Sequence, residues 1–126
     1  MKIYLIVAAG GALGAMARYG TDSMVNRWAG LGFPWGTVTV NLVGSLVLGL
    51  LIGAAVHGLH LGQEMRALIV TGFLGAFTTF STFSLETVEL MSGGRVAAGL
   101  ANAALSVAGC LVAASVGLAV GSRITA

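Results

Sequence analysis

The run from Gly72 to Ser84 contains the side chains of this sequence that are best suited to chemistry. Hydroxyl groups alternate there with aromatic rings, at Thr78, Thr79, Ser81, Thr82 and Ser84 and at Phe77, Phe80 and Phe83. A hydroxyl can donate to an anion, and the positive edge of an aromatic ring attracts an anion without trapping it in a hydrogen bond. Since a pathway must also release what it binds, the combination indicates a route for a small, strongly hydrated anion. Ordinary packing of the rings in a core or against lipid is the alternative.

The same run is predicted to interrupt a helix, with the break between Gly75 and Thr79. Glycine lets the backbone open, and threonine is a mediocre helix former. Because lipid cannot bond freed carbonyl groups, they would need protein, water or a small hard cation such as Na+. A continuous helix whose hydroxyls bond to its own carbonyl groups is the alternative.

Two further stripes of small polar residues recur every four positions, so each would form one face of a helix. The first stripe comprises Thr37, Asn41, Ser45 and Gly49, and the second comprises Asn102, Ser106 and Cys110. The amide of Asn41 can donate to an anion or form an ordinary hydrogen bond between helices. Together the stripes would supply the wall opposite the phenylalanines.

Charged side chains also occur within or near the predicted membrane segments. Arg18 falls deep inside the first segment, where an unpaired charge is costly. It is expected either to pair with Glu86 or Asp22 or to draw anions into a vestibule. Glu86 and Glu89 lie one turn apart near the end of the third segment, which places them at the membrane interface or at a vestibule.

These side chains must be held by membrane-spanning helices, because 57% of the residues are hydrophobic and only 8% are charged. A helix of roughly 20 residues crosses the hydrocarbon core. The apolar runs predict an all-α integral membrane protein, a single domain over residues 1–126, with helices at about 3–24, 35–56, 65–91 and 96–121, the third broken near 75–79. Small residues at helical spacing, such as Gly10 with Gly14 or Gly49 with Gly53, indicate close packing between these helices. A signal peptide ending at Ala17 is the alternative for the first segment, but its glycines and the lack of a polar domain after it argue against that.

The charged residues stand singly, so they predict no nucleic-acid-binding surface. Their balance between the two sides of the membrane predicts no preferred orientation. Lys2, Arg66 and Arg123 fall on one side, and Arg27 and Arg95 fall on the other, with Arg18 toward that second side. Cytoplasmic loops normally carry an excess of Lys and Arg, so a chain without that bias can insert both ways. Two oppositely inserted copies would pair as an antiparallel homodimer with a twofold axis in the membrane plane.

Three segments of the sequence resemble the bacterial fluoride channel family, called Fluc or CrcB. They are Gly11 to Tyr19 (GALGAMARY), Gly36 to Gly44 (GTVTVNLVG) and Gly72 to Ser84 (GFLGAFTTFSTFS). The likeness covers nearly the whole chain in the family's order, and the TTFSTFS part is the most specific. It implies a dual-topology homodimer in the bacterial inner membrane, with two antiparallel pores that export fluoride passively and selectively and so give resistance to it.

The resemblance also implies roles for individual residues. The implied pore residues are Asn41, Phe80, Phe83 and Ser106, with a hydroxyl track at Ser81 and Thr82 and with Thr37 on the second helix. The phenylalanines of each pore would come from different subunits. A structural Na+ at the dimer centre is implied on the backbone carbonyl groups of Gly75 and Thr78. Arg18 and Glu86 correspond to vestibule positions.

Two other functions would suit a small four-helix membrane protein. A proton-coupled exporter of small cations, like the small multidrug resistance family, has a similar length, helix number and dual topology. That family needs a carboxylate inside its first helix, whereas residues 3–17 contain no acid and Arg18 carries the opposite charge. A subunit that scaffolds a larger complex would conduct no ion. None of the three interpretations is an enzyme.

Overall fold

The computed structural model describes residues 1–56 and 58–124, and within these ranges all regular structure is helical. Four helical spans are long and apolar enough to cross a membrane, namely Lys2–Ala29, Trp35–Val56, Gln63–Ser92 and Val96–Ile124. We call the first two α1 and α2 and the last α5. The third span comprises α3 (63–77) and α4 (Phe80–Ser92), which are separated by two extended residues. The all-α fold with four spans is therefore as the sequence predicts.

The first helix continues past its apolar stretch and ends at Ala29 rather than near Met24. Its polar last turns are tied to the start of α2, because the Gly36 N–H donates to Asn26 Oδ1 at 3.1 Å. Gly30 then stops the helix with a φ of 84°, a left-handed conformation that glycine adopts without strain. The bond and the turn together hold α1 and α2 as a hairpin.

Glycine allows α2 and α5 to pack in close contact. Gly49 and Gly53 of α2 lie directly on the α5 backbone, and Gly117 and Gly121 of α5 lie directly on the α2 backbone. A methyl group added at any of these positions would meet a carbonyl oxygen of the facing helix. The packing faces predicted from the spacing of small residues are therefore confirmed for this pair of helices.

The third span begins with an unusual segment, because its turns between Ala67 and Leu74 are π-helical, with hydrogen bonds from i to i+5. α1 packs closely on this segment, where Gly10 lies on the Leu68 carbonyl and Gly14 on the Phe73 carbonyl. Turns of this kind are rare in proteins, and those that occur are often found at functional sites. The sequence did not predict the π-helical segment.

The third span breaks at Thr78 and Thr79, where the backbone is extended with ψ angles of 159° and 119°. This position is the C-terminal end of the range predicted for the break. Gly75 itself is helical, with φ of −62° and ψ of −33°. The opening therefore lies beyond the glycine, and its cause must be sought in contacts with other helices.

Candidate functional site

Asn41 of α2 holds the break open by replacing hydrogen bonds that a continuous helix would make. Asn41 Oδ1 accepts from the Thr79 N–H at 2.8 Å, and Asn41 Nδ2 donates to the Thr79 carbonyl oxygen at 2.9 Å. In a continuous helix the Thr79 N–H would donate to the carbonyl group of Gly75. The Asn41 clamp, as we call this pair of bonds, therefore leaves the Gly75 carbonyl without its usual donor.

Thr79 also caps α4 with its own side chain. Thr79 Oγ1 accepts from the Thr82 N–H at 3.2 Å, donates to Thr82 Oγ1 at 3.0 Å and lies 3.4 Å from Ser81 Oγ. In a continuous helix the Thr82 N–H would donate to the Thr78 carbonyl, so the cap releases a second carbonyl group. Sequence analysis gave Thr79 no role of its own. The available signal was a threonine immediately before a helical run, which is a favoured N-cap.

The break fits against α2 because Gly44 has no side chain there. A methyl group on Gly44 would meet the Cγ2 methyl of Thr78. Thr78 Oγ1 donates back to the Leu74 carbonyl at 3.0 Å, and Ser84 Oγ donates to the Phe80 carbonyl at 2.8 Å. Back-bonded hydroxyls, which were the alternative to a break, therefore occur on both sides of it.

A groove of about 490 Å³ opens beside the break. The predicted site residues that line it are Asn41, Gly75, Thr78, Phe80, Phe83 and Ser106. Gly44, Ser45, Thr79, Cys110 and apolar side chains of α2, α3 and α5 form the rest of its wall. The structure thus brings polar residues of α2 and α5 into the same groove as the phenylalanines of the third span.

Phe80 and Phe83 stand in different surroundings although their ring centroids are 5.3 Å apart, with the rings tilted by 54°. Phe83 is 7% exposed, whereas Phe80 is 76% exposed at the start of α4. Phe77 is buried and stacks on Phe73 at 5.9 Å, so the packing interpretation holds for that ring. Phe83 therefore belongs to the core of this chain, and Phe80 projects from it.

Thr37 and Glu86 form a separate polar site away from the groove. Thr37 Oγ1 donates to Glu86 Oε1 at 2.9 Å and joins α2 to α4. Glu86 lines a second cavity of about 350 Å³ together with Glu89, Asn26 and Arg95. Glu86 and Glu89, which were expected at the membrane interface or at a vestibule, therefore line one cavity.

The remaining predicted site residues lie outside both cavities. Ser81 and Thr82 belong to the cap around Thr79. Arg18 is half-buried on α1. Over residues 1–56 and 58–124 the one ion pair joins Lys2 to Glu64 at 2.6 Å, so the expected pairing of Arg18 with a carboxylate does not form.

Asn102 lies behind the groove rather than in its wall, with 0% exposure. Asn102 Nδ2 donates to Thr87 Oγ1 at 2.9 Å, and Thr87 Oγ1 donates to the Phe83 carbonyl at 2.7 Å. Ser106 Oγ donates to Asn102 Oδ1 at 3.4 Å. The expectation that this stripe of α5 lines the wall therefore holds for Ser106 and Cys110 but not for Asn102.

Backbone oxygens are the available ligands for a cation in this part of the molecule. Among the described residues, the side chains of His, Cys, Asp and Glu form no cluster that could hold a metal ion. The carbonyl groups of Gly75 and Thr78 have lost their usual donors, and both residues line the groove. Hard oxygen ligands of this kind suit a cation such as Na+, but two of them are too few for one ion.

Comparison with known proteins gives a consistent result over most of the chain. The family model described as "CrcB-like protein, Camphor Resistance (CrcB)" matches residues 5–118. A Magnetococcus marinus protein named fluoride-specific ion channel FluC is 49% identical over 118 residues, which cover 94% of this chain and 96% of that protein. Proteins of the same name are 52% identical over 113 residues in Hahella chejuensis, covering 90% of this chain and 89% of that protein, and 46% identical over 106 residues in Rhodospirillum centenum, covering 84% of each. The matched residues include the whole groove and both sides of the break.

Proposed function

Because this chain belongs to the CrcB family, we infer that it is a fluoride channel of a bacterial membrane. Relatives that match it over most of their length are named fluoride-specific ion channels. Its four spans make it a multi-pass membrane protein. Like its relatives, it is a channel and not an enzyme. Fluoride leaves the cell through it passively, down the electrochemical gradient.

The groove beside the break is the proposed fluoride path. Asn41 Nδ2 carries two hydrogens, and the bond to Thr79 uses one of them, so the other is available to an anion. The Ser106 hydroxyl and the ring edges of Phe80 and Phe83 add further weak donors along the same groove. Since none of these groups carries a full positive charge, fluoride is bound weakly enough to leave.

The ends of the path are proposed from the residues outside the groove. Thr37 and Glu86 mark one vestibule, because Glu86 lines the second cavity. Ser81 and Thr82 provide the hydroxyl track at the start of α4. Arg18, free of an ion pair within the described ranges, adds positive charge that raises the local concentration of anions.

An antiparallel homodimer is proposed as the working assembly, and the exposed side of the groove supports it. Lipid cannot satisfy the released carbonyl groups of Gly75 and Thr78, which line the same groove as the 76%-exposed ring of Phe80. A second copy placed over the groove would cover all three. The balanced charges favour opposite insertion of the two copies. The resemblance to the fluoride channel family implies that each of two pores takes Phe80 and Phe83 from different copies.

A structural Na+ is proposed at the centre of that dimer. A twofold axis beside the break would bring the Gly75 and Thr78 carbonyl groups of both copies together and so double the ligands. Bound there, Na+ would supply the positive charge that offsets the carbonyl dipoles. Replacing Na+ by a large organic cation during purification should make the dimer dissociate at a lower detergent concentration or temperature. Equal stability with either cation would refute this site.

The observation that carries the proposed function is the sequence match to fluoride channels over nearly the whole chain, at 49% and 52% identity. The purified chain, reconstituted in liposomes loaded with fluoride, should release it rapidly to an external fluoride electrode. Chloride and a guanidinium-type cation serve as controls and should stay inside. Movement of the cation in exchange for protons would favour the small multidrug resistance interpretation. If no ion crosses the membrane, the interpretation as a scaffolding subunit would be favoured.

A further inference from the structure

We propose that Asn102 is a positioning residue for fluoride conduction, which acts by holding the Ser106 hydroxyl ready in the groove wall. The proposal rests on the fluoride function and adds a buried residue that does not touch the path. Asn102 joins Ser106 of the groove to Thr87 of α4. Its amide therefore connects the wall on α5 to the helix that carries the phenylalanines.

The three hydrogen bonds that link Ser106 through Asn102 and Thr87 to the Phe83 carbonyl all run in one direction. The Phe83 carbonyl can only accept, so the Thr87 hydroxyl must be the donor to it. Thr87 Oγ1 is then an acceptor toward Asn102, which turns the amide nitrogen to α4 and the amide oxygen to Ser106. The order of the bonds thus fixes which way the buried amide points, and Ser106 is left with an acceptor for its hydrogen.

Ser106 departs from the pattern that other serines of this protein follow. Ser84 and Ser115 donate to the carbonyl group four residues earlier in their own helices, each at 2.8 Å. Ser106 donates instead to the Asn102 side chain, at 3.4 Å, which is longer than the roughly 2.5–3.0 Å usual between a hydroxyl and an oxygen and makes the bond weak. A hydroxyl held this weakly can turn its hydrogen to an anion in the groove by rotation about one bond, while the serine oxygen stays in place.

Loss of Asn102 should change the behaviour of Ser106 in a specific way. Without the amide oxygen, Ser106 is free to make the ordinary, shorter bond to its own helix, as Ser84 and Ser115 do. An anion must then compete with a stronger partner. Asn102→Leu should slow fluoride efflux from liposomes about fivefold, the factor expected for one neutral hydrogen bond. Ser115→Ala, which removes a back-bonded serine elsewhere on α5, should leave the rate unchanged.

A double-mutant cycle separates this role from a purely structural one. If Asn102 acts through Ser106, Asn102→Leu should have no further effect on fluoride efflux in a Ser106→Ala background. The same slowing in both backgrounds would overturn the proposal. If Asn102→Leu fails to assemble, Thr87→Val repeats the test with a different side chain. It removes the α4 hydroxyl that accepts from the Asn102 amide nitrogen. Its effect should likewise vanish with Ser106→Ala, and persistence there would overturn the proposal.

A second measurement does not depend on flux. The sequence contains three asparagines, Asn26, Asn41 and Asn102, so selective nitrogen-15 labelling of asparagine gives a simple spectrum of side-chain amides. Sodium fluoride, but not sodium chloride, should shift the Asn102 amide signal in the wild-type protein and should leave it unshifted with Ser106→Ala. No shift in the wild type, or a shift that persists in the variant, would overturn the proposal. A wild-type protein that conducts no fluoride would instead refute the proposed function itself.

Discussion

The Asn41 clamp gives a prediction whose size follows from its two hydrogen bonds. Asn41→Leu keeps much of the volume of the side chain but removes the acceptor of the Thr79 N–H, at 2.8 Å, and one donor to the Thr79 carbonyl, at 2.9 Å. Because Thr79 is the N-cap of α4, that carbonyl still accepts the first hydrogen bond of the helix. The N–H left without a partner costs about 1–3 kcal/mol and the lost second bond to the carbonyl about 0.5–1.5 kcal/mol, so the open break would be destabilised by about 1.5–4.5 kcal/mol. The chain can avoid that cost by closing the break, because the Thr79 N–H can then donate to the Gly75 carbonyl.

Both outcomes of this substitution remove the fluoride path, through a destabilised protein or through a closed helix. Fluoride efflux from liposomes and the free energy of unfolding in mixed detergent should therefore be measured on the same preparation. Ser45→Ala is the matched control, because Ser45 lies one turn further along the same face of α2 and lines the same groove. It should change neither quantity appreciably.

The aspartate variant divides the two functions of the amide. Asn41→Asp keeps an oxygen to accept from the Thr79 N–H, but it loses the donor to the Thr79 carbonyl and places a negative charge beside the path. It should suppress fluoride efflux while the dimer stays assembled. Wild-type efflux from Asn41→Leu, together with an unfolding free energy within about 1 kcal/mol of the wild type, would refute the reasoning about the clamp.

Three further predictions test the ring, the helix packing and the cap. Phe80→Ile should suppress fluoride efflux without dissociating the dimer on a sizing column, whereas Phe73→Ile, outside the groove, should not; equal rates would remove Phe80 from the path. Gly117→Ala places a methyl group on a backbone carbonyl of α2 and should destabilise the protein by about 1–3 kcal/mol, while Gly20→Ala, with open space around it, should be neutral or slightly stabilising. Thr79→Val should cost about 1 kcal/mol of unfolding free energy through the lost cap and Thr79→Ser far less; equal costs would show that the hydroxyl does not cap α4.

The features that could be predicted from the sequence are those that depend on neighbours along the chain. Apolar length predicted the four spans, and the spacing of Gly49 and Gly53 predicted a close-packing face on α2, which the structure places against α5. Both follow from local periodicity, which the sequence displays directly. The convergence of Asn41, Ser106 and the phenylalanines on one groove was within reach for the same reason, since each lies on a stripe with helical spacing.

The features that escaped prediction depend on contacts between distant residues. The composition of the third span predicted a break within residues 75–79, but it could not show that the opening lies at Thr78 and Thr79, because Asn41, 38 positions earlier, bonds both backbone groups of Thr79. Asn102 belongs by its spacing to the groove wall, but Thr87 of the neighbouring helix draws its amide inward. A stripe defines a face of a helix, and the neighbouring helix decides which residues of that face line a cavity.

The dependence of the break on α2 has a consequence for the order of assembly. Helices of membrane proteins form in the bilayer before they pack against one another. In the open break the Thr79 N–H has no partner until Asn41 is beside it, so we expect the third span to cross the membrane first as an unbroken helix and to open on docking. An undocked chain therefore presents neither released carbonyl groups nor an anion path. Newly made protein should therefore conduct no fluoride until its third span has docked on α2.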